Sequence, residues 1–214
     1  MEARAFAAEL TGTFTLVFIG AGAVAVGVGG LLGAALAHGL VVLAFSFVWG
    51  RGAPHINPAV TFGLFAAGAV RAVHLPAYWL AQGAGGIVAA FALKLTVGGF
   101  TDSLGATVPA PGVSPGQTLV LEAILTFMLV TAILVTAVSG RGGNLGLAAI
   151  GLTLIFCILM GGPLTGASLN PARTLGPGLF TGTLDVFWIY LVGTFLGAAL
   201  AGSLYRGLPK GEHT

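Results

Sequence analysis

Charged residues are scarce in this chain of 214 residues: only 7% are Asp, Glu, Lys or Arg, while 57% are hydrophobic. An ordinary soluble domain carries roughly 25% charged residues. The 8 basic and 6 acidic side chains are too few to cover a water-facing surface. The mean hydropathy of +1.03 agrees with this deficit. The composition therefore predicts an integral membrane protein.

Other absences exclude further classes of protein. The chain has no run of Lys or Arg, and its formal net charge is only +2, so we expect no nucleic-acid partner. Cys157 is the single cysteine and cannot form an internal disulfide. The apolar runs are continuous and do not alternate, which excludes a membrane β-barrel. Because no nucleophile–base pair or ligand cluster occurs in the sequence, we expect no enzyme activity, no cofactor and no metal.

Six segments are long enough to cross a bilayer, which needs about 20 apolar residues per helix. Charges and Gly/Pro-rich stretches delimit them near 5–26, 31–49, 72–93, 118–139, 145–162 and 186–205. Residues 98–117 are rich in Gly and Pro and are predicted to form a loop.

Basic residues predict the orientation of these spans. Six of them fall on one side of a six-span chain, so the positive-inside rule predicts cytoplasmic N- and C-termini. They are Arg4, Arg51, Arg71, Arg141, Arg206 and Lys210. The absence of long terminal tails favours the plasma (inner) membrane of a prokaryote.

The sequence contains an internal repeat. Two identical tripeptides lie 113 residues apart: Asn57, Pro58 and Ala59, and then Asn170, Pro171 and Ala172. The segments ELTGTFTLV from Glu9 and EAILTFMLV from Glu122 match at the same offset. We therefore expect one membrane domain over 1–214, made of a repeat at about 1–97, the loop 98–117 and a second repeat at about 118–214. With three spans in each repeat, the two copies must be inverted in the membrane.

Each Asn-Pro-Ala tripeptide is predicted to begin a short helix. Asn is a favoured N-cap and Pro is favoured at the first helical position. The apolar segment that follows is about a dozen residues long, too short to cross. Inversion would bring both helix N-termini, each carrying about +0.5 elementary charge, to the bilayer midplane, where they repel cations. The amide NH2 groups of Asn57 and Asn170 are expected to be free to point into a pore.

Glu9 and Glu122 lie inside predicted spans, where a carboxylate costs roughly 2.5–3.5 kcal/mol on insertion scales. One interpretation is a proton relay. The other is structural, with each carboxylate bracing a re-entrant loop by accepting hydrogen bonds from its backbone N–H groups. Their symmetric placement in both repeats favours the structural interpretation.

Together these features resemble the aquaporin (major intrinsic protein) family over essentially the whole chain. The resemblance depends on HINPAVT at 55–61, SLNPART at 168–174 and Arg173, three residues after the second Asn. It implies an all-α membrane fold with six transmembrane helices and two re-entrant half-helices. It also implies a homotetramer with one pore per subunit, in which water and small neutral solutes cross the lipid bilayer passively. Thr174 and the pair Phe187-Trp188 resemble the water-channel branch more than the glycerol facilitators.

The resemblance further implies an outer selectivity filter, with His55 lining the other half of the pore. The four positions of the filter are His38, Ile158, Ala167 and Arg173. This set is similar to that of plant tonoplast-type aquaporins, which are associated with water and ammonia. That group often has a further His in the loop, and residues 98–117 contain none. The alternatives to a role in the pore are structural: a helix–helix hydrogen bond for His38 and loop packing for His55.

The predicted function is a passive channel for water, ammonia and other small neutral solutes that excludes protons and ions. A glycerol or urea facilitator is the nearer alternative. A coupled secondary transporter is the more distant one, because inverted repeats with half-helices also build transporters.

Overall fold

The computed structural model describes residues 1–49, 54–141 and 143–208. In this part of the chain all regular structure is helical, and six helices are long and apolar enough to cross a membrane. These spans are Ala3–Ala25, Gly30–Trp49, Ala72–Val97, Pro115–Val138, Gly146–Thr165 and Leu184–Gly207. The predicted fold class is confirmed. Of the six basic residues used to orient the chain, Arg51 and Lys210 lie outside the described residues.

Local sequence signals place the ends of the spans. The first and second spans are separated by a tight reversal at Gly27 and Gly29, whose φ angles of 69° and 63° suit glycine. The fourth span begins three residues before the predicted Thr118, because Ser114 and Gln117 form a capping box ahead of it. The fifth span extends to Thr165, past the predicted end, and stops at the left-handed Gly166.

Two short helices do not cross the bilayer. The first half-helix is Pro58–Ala66 and the second is Pro171–Thr181. The first packs against the sixth span, and the second packs against the third span. Each half-helix is therefore held by a span from the other half of the chain.

The six spans pack in pairs. The first contacts the third, the fourth contacts the sixth, and the second contacts the fifth. Small residues allow close approach in these pairs: Gly197 lies against the backbone of Ala123, and Gly85 lies against the backbone of Leu10. An added Cβ at either glycine would overlap a carbonyl oxygen of the neighbouring span. Gly197 of the sixth span therefore packs inside the subunit.

Candidate functional site

The two half-helices meet N-terminus to N-terminus. The Asn57 side-chain oxygen accepts hydrogen bonds from the backbone N–H groups of Ala59 (2.9 Å) and Val60 (3.4 Å). The Asn170 oxygen accepts from Ala172 (3.0 Å) and Arg173 (3.3 Å). Pro58 and Pro171 occupy the first position of each helix, where no backbone N–H is needed.

The amide NH2 groups of the two asparagines are not entirely free. Asn57 Nδ2 donates to the carbonyl oxygen of Leu169, and Asn170 Nδ2 donates to that of Ile56, both at 2.8 Å. The expectation of fully free NH2 groups is therefore wrong, because each amide bridges to the opposite loop. An NH2 group has two donors, so one hydrogen of each asparagine remains for a solute in the cavity that both side chains line.

Ile56 and Leu169 occupy equivalent places before the two asparagines and share an unusual backbone. Their φ angles are 48° and 52°, in the left-handed region that a bulky or β-branched residue rarely adopts. In each loop this conformation turns the carbonyl to the opposite asparagine, while the N–H donates to a carboxylate. Hydrogen bonds on both sides of the residue hold the strained conformation in place.

Glu9 accepts from the loop before the first half-helix. Its two oxygens bind the N–H groups of His55 and Ile56, both at 2.7 Å. Gln82 of the third span also donates to it, at 2.8 Å. This buried amide was not anticipated from the sequence, although a lone Gln in an apolar span is a signal that could have identified it.

Glu122 holds the second loop in the same manner. Its oxygens accept from the N–H groups of Ser168 (2.9 Å) and Leu169 (2.8 Å), and from the hydroxyl of Thr165 (2.7 Å). Tyr190 of the sixth span then donates to the Thr165 carbonyl at 2.7 Å. Both carboxylates therefore accept from the backbone of the two loops, and Thr165 and Tyr190 extend the second network in a way that no motif indicated.

An internal cavity lies beside the N-termini of the half-helices. One end of the cavity lies at Pro54 and Leu147, and from there the cavity extends past the two asparagines to Arg173. Most of its lining is apolar. Its polar lining residues are His38, Ser46, His55, Asn57, Ser168, Asn170 and Arg173.

Arg173 is only 2% exposed, and its Nη1 donates to the carbonyl oxygen of Gly105 at 2.6 Å. Gly105 has φ +68°, and an added Cβ would overlap the carbonyl oxygen of Ala21. Only glycine therefore fits where this carbonyl meets the guanidinium. The sequence indicated only a loop here, since nothing local to Gly105 predicts its distant partner.

His38 lies in the second span and is 5% exposed. Its Nδ1 lies 2.8 Å from the Ala34 carbonyl oxygen, four residues back along the helix, so Nδ1 must carry the hydrogen. In a neutral ring Nε2 is then an acceptor. Across the described residues no group bonds His38 Nε2, and none bonds Arg173 Nε. Gly20 of the first span provides the space for the ring, because an added Cβ would overlap it.

Hydrogen bonding also assigns the tautomer of His55. The hydroxyl of Thr61 donates its one hydrogen to the Asn57 carbonyl (3.1 Å) and accepts from Gln82 (2.9 Å). His55 Nδ1, 3.1 Å from the same hydroxyl, must therefore be the donor of that bond. This leaves Nε2 of the neutral ring as an acceptor. The ring stacks on Tyr78 with centroids 4.8 Å apart.

The other two predicted filter positions are buried. Ile158 and Ala167 are buried at 4% and 2% exposure and belong to one hydrophobic cluster. Neither is among the residues that line the cavity. The structure therefore brings His38 and Arg173 to one cavity and places Ile158 and Ala167 in the packing beside it.

A cavity that runs past the N-termini of two opposed half-helices, inside a bundle of spans, is the architecture of a membrane channel. Comparisons with known proteins identify the kind of channel. A family model described as major intrinsic protein matches residues 1–205. The chain therefore belongs to the major intrinsic protein family, whose members are passive channels rather than enzymes.

Curated relatives and a solved structure agree with this assignment. Aquaporin TIP1-2 of Zea mays is 39% identical over 217 residues, covering 95% of this chain and 85% of that protein. Aquaporin NIP1-4 of Oryza sativa subsp. japonica is 38% identical over 204 residues, covering 92% and 74%. The X-ray structure of the aquaglyceroporin from Plasmodium falciparum superimposes with a TM-score of 0.84, at 26% identity and 96% coverage of both chains.

These relatives correct the predicted location. An integral membrane protein is supported, but the expectation of a prokaryotic plasma membrane is wrong. The curated relatives include TIP and NIP aquaporins of Zea mays, Oryza sativa and Arabidopsis thaliana, which point to a eukaryotic origin. Short termini are a poor guide to the host, because the spans and half-helices alone carry the channel fold.

Proposed function

We propose that this chain is a passive channel for water and ammonia, and for other small neutral solutes of similar size. One observation carries the proposal: His38 and Arg173 line the same cavity, and His38 Nε2 and Arg173 Nε have no hydrogen-bond partner among the described residues. The first is an acceptor and the second is a donor. A solute in this part of the cavity satisfies both atoms only if it can donate and accept hydrogen bonds.

Water and ammonia meet this requirement, and ammonium does not. Each has hydrogens to donate to His38 and a lone pair to accept from Arg173. Ammonium has no free lone pair, and the guanidinium, which stays charged, repels it and other cations. The pair therefore favours neutral solutes over their protonated forms.

The centre of the cavity supports exclusion of protons. Two helix N-termini meet there, each with about +0.5 elementary charge, and Asn57 and Asn170 each retain one N–H donor. A water molecule that accepts from both asparagines must turn its own hydrogens away from the midplane, towards either end. This reversal of orientation would break a continuous chain of proton transfers.

On the N-terminal side, His55 continues the path. Its Nε2 is an acceptor, and the rest of the cavity lining is mostly apolar. A few fixed polar groups in an apolar tube let a solute exchange its hydration shell in steps. We propose that His55, both asparagines, His38 and Arg173 provide this sequence of contacts, with Ile158 and Ala167 packing behind the narrow part.

A glycerol or urea facilitator is the second candidate. The fold similarity to an aquaglyceroporin supports it. Thr174 and the Phe187-Trp188 pair favour the water-channel branch instead, by their resemblance to that branch.

Stopped-flow light scattering on proteoliposomes tests the proposal, with parallel assays of ammonia, urea and glycerol. We expect fast water flux, measurable ammonia flux and weak glycerol flux, compared with protein-free vesicles of the same lipid. Glycerol flux equal to that of a known facilitator would reject the water-channel assignment. Water flux no faster than in the protein-free vesicles would reject the channel itself.

We also propose that the chain assembles as a homotetramer with one pore in each subunit. The support is the family resemblance, which implies a homotetramer. Native mass spectrometry from detergent should find a tetramer of the 21.3-kDa chain. A monomer under conditions that retain water conduction would reject it.

A further inference from the structure

Three buried hydroxyl groups form a chain behind Arg173. Thr107 Oγ1 lies 2.9 Å from Thr174 Oγ1, and Thr174 Oγ1 lies 2.5 Å from Ser168 Oγ. Ser168 Oγ donates to the Asn170 carbonyl oxygen at 2.9 Å and accepts from the Asn170 N–H at 3.2 Å. Each of the three residues is at most 4% exposed. Ser168 lines the cavity, while Thr107 and Thr174 do not.

Counting hydrogens assigns a direction to this chain. A hydroxyl has one hydrogen to donate and two lone pairs that accept. Ser168 uses its hydrogen on Asn170, so Thr174 must donate to Ser168. Thr174 then has no hydrogen left for Thr107, so Thr107 must donate to Thr174. The hydroxyls therefore form a one-way series from Thr107 through Thr174 and Ser168 to the Asn170 carbonyl.

The series connects two segments that meet at Arg173. Thr107 lies in the loop between the third and fourth spans, two residues after Gly105, whose carbonyl oxygen accepts from the guanidinium. Thr174 lies in the second half-helix, directly after Arg173. Thr174 is therefore the point at which the half-helix that carries the arginine is bonded to the loop that orients it.

We infer that Thr174 is a positioning residue for solute selectivity, acting through Thr107 and Gly105 on the guanidinium of Arg173. This inference rests on the proposed channel function. The hydroxyl series holds the loop against the half-helix, and it thereby fixes where Arg173 lies and how wide the opening beside it is. Selection between small neutral solutes needs such fixed groups, because a mobile arginine admits solutes of more than one size.

Isosteric variants test this role. Thr174→Val keeps the shape and removes both bonds of the hydroxyl. The glycerol-to-water permeability ratio in proteoliposomes should rise about two- to tenfold, the change that corresponds to one ordinary hydrogen bond, with water permeability close to wild type. Thr174→Ser restores the hydroxyl and should restore the wild-type ratio. Thr107→Val removes the donor at the other end and should raise the ratio in the same direction.

Thr181→Val is the matched control. Thr181 lies on the same half-helix, and its hydroxyl bonds its own helix at the Pro177 carbonyl and Thr183 nearby. The control should leave the ratio unchanged. An unchanged ratio in Thr107→Val, or in a folded Thr174→Val, would overturn the inference. A ratio that Thr174→Ser fails to restore would also overturn it. Loss of the proposed function has a separate signature, since wild-type vesicles would then conduct no water.

Discussion

At the scale of single residues, the site depends on where individual hydrogens and Cβ atoms lie. His38, His55 and Arg173 are recognisable in the sequence, but their unpaired atoms are defined by neighbours. Ala34 takes the Nδ1 hydrogen of His38, and Gly105 takes one hydrogen of Arg173. What remains to contact a solute is an acceptor on each histidine and a donor on the arginine.

Replacing His38 should therefore affect the solutes unequally. In His38→Phe the ring is larger and has no acceptor, so the cavity loses the acceptor that His38 Nε2 provides for a solute hydrogen. We expect ammonia permeability to fall more than water permeability, measured by pH-sensitive dye and light scattering in the same vesicles. His74→Phe, at the edge of the third span and away from the cavity, is the control. Equal losses for both solutes would contradict the role of His38.

The close fit of Gly105 can be tested by adding a single methyl group. Gly105→Ala adds a Cβ that overlaps the Ala21 carbonyl and places alanine at φ +68°. The loop must shift, so the bond from Arg173 to the Gly105 carbonyl should be lost and glycerol exclusion should weaken. Gly112→Ala is the control. Gly112 lies in the same loop at φ +85° with open space around it, so this variant has the backbone strain of a positive φ without an overlapping Cβ. Identical solute ratios in the two variants would reject the argument from overlap.

At the scale of elements, the half-helices are held by carboxylates on other helices. Glu9 and Glu122 each accept two backbone N–H bonds from a loop, and one donor in each loop, Ile56 or Leu169, is in the left-handed conformation. The donors lie 46 or 47 residues away in the chain, so the half-helices depend on tertiary contacts and not on their own short length. This arrangement favours a structural role for both glutamates over a proton relay.

Glu122→Gln tests that role directly. All the bonds of Glu122 are accepted bonds, whereas glutamine presents an NH2 donor in place of one oxygen. One backbone N–H of the second loop then faces a donor, which should lower the free energy of unfolding by about 1–3 kcal/mol. Chemical denaturation in detergent measures the change. Glu2→Gln, at an exposed position, is the control, and equal stability of the two variants would contradict the bracing role.

At the scale of the whole molecule, passive conduction distinguishes a channel from a coupled transporter. The two carboxylates buried within the spans, Glu9 and Glu122, are committed to hydrogen bonds with the protein. We therefore expect osmotic water flux through proteoliposomes to be the same with and without an imposed proton gradient. Vesicles treated with a protonophore serve as the control. A flux that follows the gradient would support the transporter instead.

Much of the architecture follows from sequence pattern. Sparse charge and long apolar runs predict six spans, and their bounds agree to within a few residues with the helices. The 113-residue offset relates Glu9 to Glu122 and Asn57 to Asn170, and the inverted arrangement follows from the odd number of spans. These features are legible because bilayer thickness sets helix length, and because N-cap and proline preferences are local.

The contacts that define the site are not local, and for that reason the sequence could not predict them. The bridges from each asparagine to the opposite loop, Gly105 against Arg173 and Thr107 against Thr174 join residues 67 to 114 positions apart. For Ile158 and Ala167, the filter role stays a prediction from the resemblance, and the structure shows them buried in one hydrophobic cluster. The polar residue types that make up the site were thus evident from the sequence. Which of their hydrogens and lone pairs face a solute was decided by the tertiary structure, because a buried polar atom takes the nearest partner that the folded chain provides.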